Sequence, residues 1–263
     1  MVMIDAALCV GCGACAEDCP GHAIYIKEGK AEAVHPCIQC GHCTAICPVK
    51  AVSIPEYDME EVEEYDPKTF RIAPENFLHA VKFRRSIRNF KAQPLERKAL
   101  EHILAAGRYT ATAKNAQACT FVVVQERLEE FKSLFWKELP GLLEELKAQG
   151  SPYFSPFRYF YQQWKRNPAN DTFFFNTPCL LVIAAENPLD GGLAAANMEN
   201  QAVAEGAGVL YSGYLMRSIS ASPRLLEWLG TGDKPIACCM LAGYPAVSYK
   251  RTAPRRKADV IWK

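Results

Sequence analysis

Eight of the twelve cysteines fall before residue 48, in two runs of identical spacing. The first is Cys9-x-x-Cys12-x-x-Cys15-x-x-x-Cys19-Pro20 and the second is Cys37-x-x-Cys40-x-x-Cys43-x-x-x-Cys47-Pro48. The segments repeat at an offset of 28 residues, which also aligns Gly13 with Gly41, Ala23 with Ala51 and Ile26 with Ile54. Three thiolates on one tight loop can hold three corners of an iron–sulfur cubane, and in this motif the fourth cysteine ligates the other cluster. The expected ligand sets are therefore Cys9, Cys12, Cys15 and Cys47 for one [4Fe-4S] cluster, and Cys37, Cys40, Cys43 and Cys19 for the other. Pro20 and Pro48 turn the chain just after each crossing ligand. Gly13 and Gly41 keep backbone amides close to the sulfurs, where hydrogen bonds tune potential. Structural zinc sites use separated Cys-x-x-Cys pairs, four ligands to one metal, and fit this pattern poorly. Disulfides are disfavoured as well. Met1-Val2-Met3-Ile4-Asp5 has no basic region followed by an apolar core, so no secretory signal is expected.

This stretch resembles the bacterial two-cluster ferredoxins over about residues 1–55. It is too short for a conventional core, so the clusters are expected to staple it. Residues 56–72 read as a linker: the run from Glu56 to Tyr65 is acidic without an apolar stripe, and Asp66-Pro67 is a turn signal.

A second chemistry begins at Arg84-Arg85-Ser86-Ile87-Arg88-Asn89-Phe90, with three guanidinium groups and a hydroxyl in five residues. Arginine forks suit phosphate, and serine can add a hydrogen bond to the same group. Further on come Asn115-Ala116-Gln117-Ala118-Cys119 before an apolar run, and an Ala-rich stretch leading into Glu205-Gly206. Gly243-Tyr244-Pro245 and the basic tail around Arg255-Arg256 complete the set. In this order the pieces resemble the FMN-dependent nitroreductase family over residues 74–263. That family's pattern is Arg-Arg-Ser-x-Arg-x-Phe, then Asn-x-Gln-Pro-Trp before a strand, then Gly-Tyr-Pro and a basic C-terminal stretch.

The resemblance implies an FMN cofactor and a role for each matching residue. It implies that Arg84 and Ser86 bind the phosphate and ribityl chain, with Arg85 between them contributing through its backbone. Arg88 matches the position near the flavin N1 and C2 carbonyl, where a cation stabilises reduced flavin. Asn115 matches an asparagine that reaches the flavin of the dimer, and Gln117 the motif glutamine. Glu205 and Gly206 fall where the family offers backbone groups to the N5 edge, and Arg255, with Arg256 as its substitute, matches a phosphate contact. The Pro-Trp pair is replaced by Ala118-Cys119, which changes the shape beside the flavin. Cys119 has two readings, a reactive thiol near the flavin or, the favoured one, a buried small apolar residue; the strand cysteines Cys179, Cys238 and Cys239 are read as core.

The resemblance further implies a homodimer with FMN at the interface. The expected donor is NAD(P)H or a reduced ferredoxin, and the expected acceptor a small aromatic molecule of nitroaromatic or quinone type. No side-chain acid or base is expected to be catalytic, because flavin does the chemistry and the protein supplies position and electrostatics. The alternative is an electron-transfer adaptor between ferredoxin and NAD(P)H or another redox protein, without a dedicated organic substrate.

These residues need elements to hold them. The pattern predicts helices over residues 74–81, 95–107, 127–148, 194–207 and 223–229, and buried strands over 120–125, 179–185 and 236–242. The fold class expected is α+β: a ferredoxin-like domain, then a nitroreductase-like domain at 73–263 with a central sheet and an insertion around 126–176. That insertion is rich in aromatics, expected mostly to pack against the sheet or a partner subunit, with a few roofing the flavin. About half of the 263 residues are apolar, and the net charge of +1 argues against nucleic acid or a charged membrane surface as partner. The longest apolar runs are too short to span a bilayer, so a cytoplasmic protein is expected.

Overall fold

The computed structural model describes residues 1–34 and 36–263. Met1–Ile72 with Thr112–Ala116 form one compact unit, and Ala73–Ala111 with Gln117–Lys263 form a second.

In the first unit the cysteine repeat is also a backbone repeat. Gly11 and Gln39 (φ 67° and 51°), Gly13 and Gly41 (83° and 78°), and His22 and Lys50 (49° and 54°) all adopt left-handed conformations. Gly13 and Gly41 each start a short helix, α1 (Ala14–Glu17) and α2 (His42–Ile46). Strand β1 (Met3–Ile4) pairs antiparallel with β4 (Val52–Ser53), and β2 (Ile24–Lys27) with β3 (Lys30–Ala33). Glu28 and Gly29 join β2 to β3 with both residues at positive φ, the mirror-image turn that suits strand twist. A Cβ on Gly11 would lie 2.0 Å from the Gly29 carbonyl oxygen, so the first cysteine loop requires glycine there. The core is small: Val2, Ile24, Ala31, Val52 and Ile54 surround Cys9, Cys15 and Cys43. Residues beyond 54 continue with this unit. Tyr57 N donates to the Ile54 carbonyl at 2.9 Å, Lys50 pairs with Glu64 at 2.6 Å, and Arg71 Nε donates to the Tyr65 hydroxyl at 2.9 Å.

The second unit is built on an antiparallel sheet of β5 (Thr120–Val124), β6 (Cys179–Ala184), β8 (Ile236–Gly243) and β7 (Gly208–Tyr211), in that spatial order. Central β6 is buried along its whole length, which explains its unbroken apolar sequence. Its side chains alternate between two cores. Cys179, Leu181 and Ile183 pack with α4 (Arg97–Arg108) and α7 (Pro188–Ala204). Leu180, Val182 and Ala184 pack with α5 (Leu128–Ala148), α6 (Phe154–Arg166), α8 (Gly213–Ala221) and α9 (Pro223–Leu229). Helix α3 (Pro74–Phe83) buries none of its residues.

One difference from the sequence reading has a clear cause. Helix α7 starts at Pro188 rather than 194, because Asn187 accepts the Leu189 amide and Pro188 fits the first helical position. Gly191 and Gly192 both lie inside the helix. The aromatic insertion supplies all of α5 and α6, and its rings pack in the second core, as expected for most of them. Phe135, Trp136, Phe173 and Phe174 contact one another edge-on or tilted, and Trp136 stacks on Trp164 at 4.9 Å. Phe174 is fully buried, so Phe174→Ala is expected to destabilise this unit by about 3–5 kcal/mol, read as a lower denaturation midpoint. Among the described residues, no helix is long and apolar enough to cross a membrane.

Candidate functional site

The structure brings thiols of both cysteine runs together at the first loop. Cys9, Cys12, Cys15 and Cys47 line one cavity, with Gly11, Gly13, Ala31 and Val49. Cys47 therefore stands with the first run although it belongs to the second. Among the described residues no three Cys, His, Asp or Glu side chains close on one ion-sized point; these four thiols stand around a cavity instead. In the second run Cys43 is held close to Cys37 and Cys40, and burial first, then the proximity of those two sulfurs, pushes its thiol up. Cys40 lines a further cavity with Asp18, Gly41 and His42, so Cys19's neighbour Asp18 lies at the second loop.

Backbone amides are aimed at four of the sulfurs. Ala23 N donates to Cys19 Sγ and Ala51 N to Cys47 Sγ, both at 3.2 Å, so the two crossing cysteines share one local geometry. Ala31 N donates to Cys9 Sγ at 3.4 Å and Gln39 N to Cys37 Sγ at 3.3 Å. The amides of Ala31 and Gly11, with the Lys30 ammonium nearby, hold the Cys9 thiol below its ordinary value. Lys30 Nζ also donates to the Cys9 carbonyl at 2.5 Å. The sequence reading passed over Lys30, whose only signal was its position at the start of β3 after a Glu-Gly turn. Four thiols around one cavity, three more held close in the second run, and amides directed at sulfur fit iron–sulfur ligation.

In the second unit the Arg84–Arg88 segment runs beside the Gly-Tyr-Pro segment. Ile87 N donates to the Val209 carbonyl at 3.0 Å, Lys91 N to Tyr244 at 2.8 Å, and Ala246 N to Asn89 at 2.9 Å. Gly208 makes the approach possible, since a Cβ there would meet Ile87 Cγ1 at 2.4 Å. Arg84, Arg85 and Ser86 are half-buried and Arg88 is exposed. Arg84 Nη1 donates to Glu199 Oε1 at 2.9 Å; Glu199 is buried on α7 and escaped the sequence reading. Arg85 lies over the Tyr249 ring, 4.2 Å from its centroid, and Nη2 donates to the Arg251 carbonyl at 2.9 Å. Its Nε is buried without an acceptor. A buried donor of this kind calls for a partner, and an anionic phosphate suits a guanidinium. The segment thus fits an anionic cofactor group.

Asn115 belongs to the first unit, where Nδ2 donates to the carbonyls of Ile38 at 3.1 Å and Gln39 at 2.9 Å. Gln117 is exposed in the second unit at φ 49°. Glu205 caps the end of α7, and its carboxylate engages His102 Nδ1 at 2.7 Å and Gln201 Nε2 at 2.9 Å. Those two contacts hold the Glu205 carboxyl below the usual range. Gly206 follows at φ 73°. Arg255 and Arg256 are exposed in a tail without regular structure. Burial pushes the thiols of Cys179 and Cys238 up to about 12, and raises Cys119 and Cys239 too, so none of the four is a ready nucleophile. Cys179 and Cys239 are buried, while Cys119 and Cys238 are half-buried.

Comparison with known proteins agrees with this geometry. Residues 81–244 match the nitroreductase family, and residues 1–48 match the 4Fe-4S dicluster domain. No curated protein sequence matches the chain. Among solved structures, it is similar to an FMN-bound nitroreductase from Desulfitobacterium hafniense DCB-2, at 20% identity and TM-score 0.55 over 70% of this chain and 97% of that one. It is similar to an FMN-bound nitroreductase from Bacteroides fragilis NCTC 9343, at 19% identity and TM-score 0.55 over 71% and 98%. A BluB-like flavoprotein from Clostridium difficile 630 matches at 17% identity and TM-score 0.53 over 72% and 96%. At these identities the likeness is one of fold. The antiparallel sheet between helical layers, the match across most of the second unit and the two cysteine runs before it lead to one conclusion: this chain belongs to the nitroreductase family and carries a 4Fe-4S dicluster domain ahead of it.

Proposed function

We propose that the chain is an iron–sulfur flavoprotein oxidoreductase, passing electrons between two [4Fe-4S] clusters, a bound FMN and a small organic acceptor of nitroaromatic or quinone type. The observation that carries this reading is the union, in one chain, of a nitroreductase domain with a 4Fe-4S dicluster domain whose Cys9, Cys12, Cys15 and Cys47 stand around one cavity. Clusters carry single electrons at low potential and flavin exchanges one- and two-electron steps, so the pair suits conversion between the two kinds of traffic. Cys9, Cys12, Cys15 and Cys47 hold one cluster; Cys37, Cys40, Cys43 and Cys19 hold the other. Arg85, with its inward Nε, and the adjacent Ser86 bind the flavin phosphate, while Arg84 is anchored by Glu199. Arg88, exposed beside them, offers a cation to negative charge on the flavin. Arg255, with Arg256 as its substitute, adds a further contact to the phosphate.

The functional form is a homodimer. Helix α3 exposes Phe77, Leu78, Val81 and Phe83, and the tail exposes Ile261 and Trp262, the latter 91% accessible. Apolar surface of this extent marks an association face.

An anaerobic visible spectrum tests the reading and assigns the donor. Loss of a flavin band on adding NADH or NADPH makes the nicotinamide the donor. A band that bleaches only with reduced ferredoxin or dithionite makes the clusters the electron input. Iron–sulfur absorbance with no flavin band sinks the flavoprotein assignment.

A further inference from the structure

We propose that Asn115 is a positioning residue for the second iron–sulfur cluster: its carboxamide clamps the Cys37–Cys40 loop and so sets the hydrogen bond that loop makes to Cys37. The inference rests on the two-cluster reading above.

The two cysteine loops are equivalent in spacing but not in support. In the first, the left-handed position is Gly11, which adopts φ 67° without strain and packs on the Gly29 carbonyl. Its carbonyl partner is a cation, with Lys30 Nζ donating to Cys9 O. In the second loop the same position is Gln39 at φ 51°, a conformation that costs a residue with a Cβ and is helped by neighbours that fix its peptides. The neighbour that does so is Asn115. Its Nδ2 donates to two successive carbonyls, Ile38 and Gln39, and lies 3.4 Å from the Tyr57 hydroxyl. Fixing those two peptides fixes the Gln39 amide, which donates to Cys37 Sγ at 3.3 Å. Lys114 and Asn115 also adopt left-handed φ, 53° and 55°. Through this clamp Thr112–Ala116 groups with the ferredoxin-like unit, although in sequence it lies between α4 and β5. The donor end of Asn115 is committed to the cluster loop, so any flavin contact it makes uses its carbonyl oxygen.

Amide donors to cluster sulfur favour the reduced, more negative state, so loosening the clamp lowers the potential of the second cluster. Lys30 marks the first cluster independently, since replacing it removes a cation beside Cys9. The experiment is an EPR-monitored redox titration of the full-length holoprotein as wild type, Asn115→Ala, Asn115→Ser and Lys30→Met, with iron content measured on each. The expected result is two wild-type steps, of which Asn115→Ala lowers one while the other stays fixed. Asn115→Ser, which keeps a short donor, falls between. Lys30→Met lowers the step that Asn115→Ala leaves alone. Selective loss of the Asn115-sensitive cluster, with the Lys30-sensitive step intact, supports the proposal in stronger form. Unmoved steps at full iron content in both Asn115 variants overturn it, as do equal shifts of both steps or a shift confined to the Lys30-sensitive step. A wild type with only one titrating cluster overturns the two-cluster reading, and this proposal with it.

Discussion

Cys47→Ala is expected to remove the cluster held by Cys9, Cys12 and Cys15, and to spare the one held by the cysteines nearest to it in sequence. Iron should fall from about eight atoms per chain to about four. The reason is spatial: Cys47 lines the cavity of the first run, and Ala51 N is hydrogen-bonded to its sulfur in the geometry that Ala23 repeats at Cys19. Cys19→Ala should do the converse and remove the cluster of the second run. Variant-specific iron loss, read with EPR of the surviving cluster in a Lys30→Met background, separates crossed from uncrossed ligation. If Cys47→Ala instead strips the Cys37–Cys43 cluster, each run binds its own cluster and the crossed assignment is wrong. The effect should be large, because this unit buries few apolar side chains and counts three of the cysteines among them. In so small a body the metal supplies folding energy that the side chains cannot. Loss of one cluster is therefore expected to raise proteolysis within residues 1–72 while the second unit resists.

Arg85→Leu is expected to cost about ten- to a hundredfold in flavin affinity, on the order of 1.5–3 kcal/mol for a charged hydrogen-bonding group. Arg85 is the guanidinium of its segment with a buried donor that no protein acceptor satisfies, whereas Arg84 already meets Glu199. Arg85→Lys should recover part of the loss, since it keeps the charge but not the planar fork. Flavin retained per chain after gel filtration reads the effect, and unchanged iron content reports that the fold has survived. Flavin content equal to wild type in Arg85→Leu would falsify the phosphate assignment for this segment.

Much of the redox chemistry was legible in the residues alone. Two Cys-x-x-Cys-x-x-Cys-x-x-x-Cys-Pro runs impose a local loop geometry wherever they occur, because three thiolates within seven residues share one short backbone path. The long buried strands were equally legible. Cys179–Ala184 is apolar at every position since helices cover both faces of the sheet, and such burial leaves no alternation to mistake. Four-residue β7 and nine-residue α8 went unread, as elements that short carry little periodicity of their own and form because a sheet edge and a core are waiting for them.

What only tertiary structure decided were the partnerships between residues distant in sequence. No local pattern announces that Glu199 neutralises Arg84 across 115 residues, or that Lys30 donates to the Cys9 carbonyl. Asn115 is the sharpest case. Its motif pointed toward flavin, while its amide lies on the Ile38 and Gln39 carbonyls, 77 and 76 residues away. Spacing along the chain determines which ligands can share a loop. Which distant side chain satisfies a buried donor or carbonyl depends on how the folded chain returns upon itself, and each such group must find its partner there or go without.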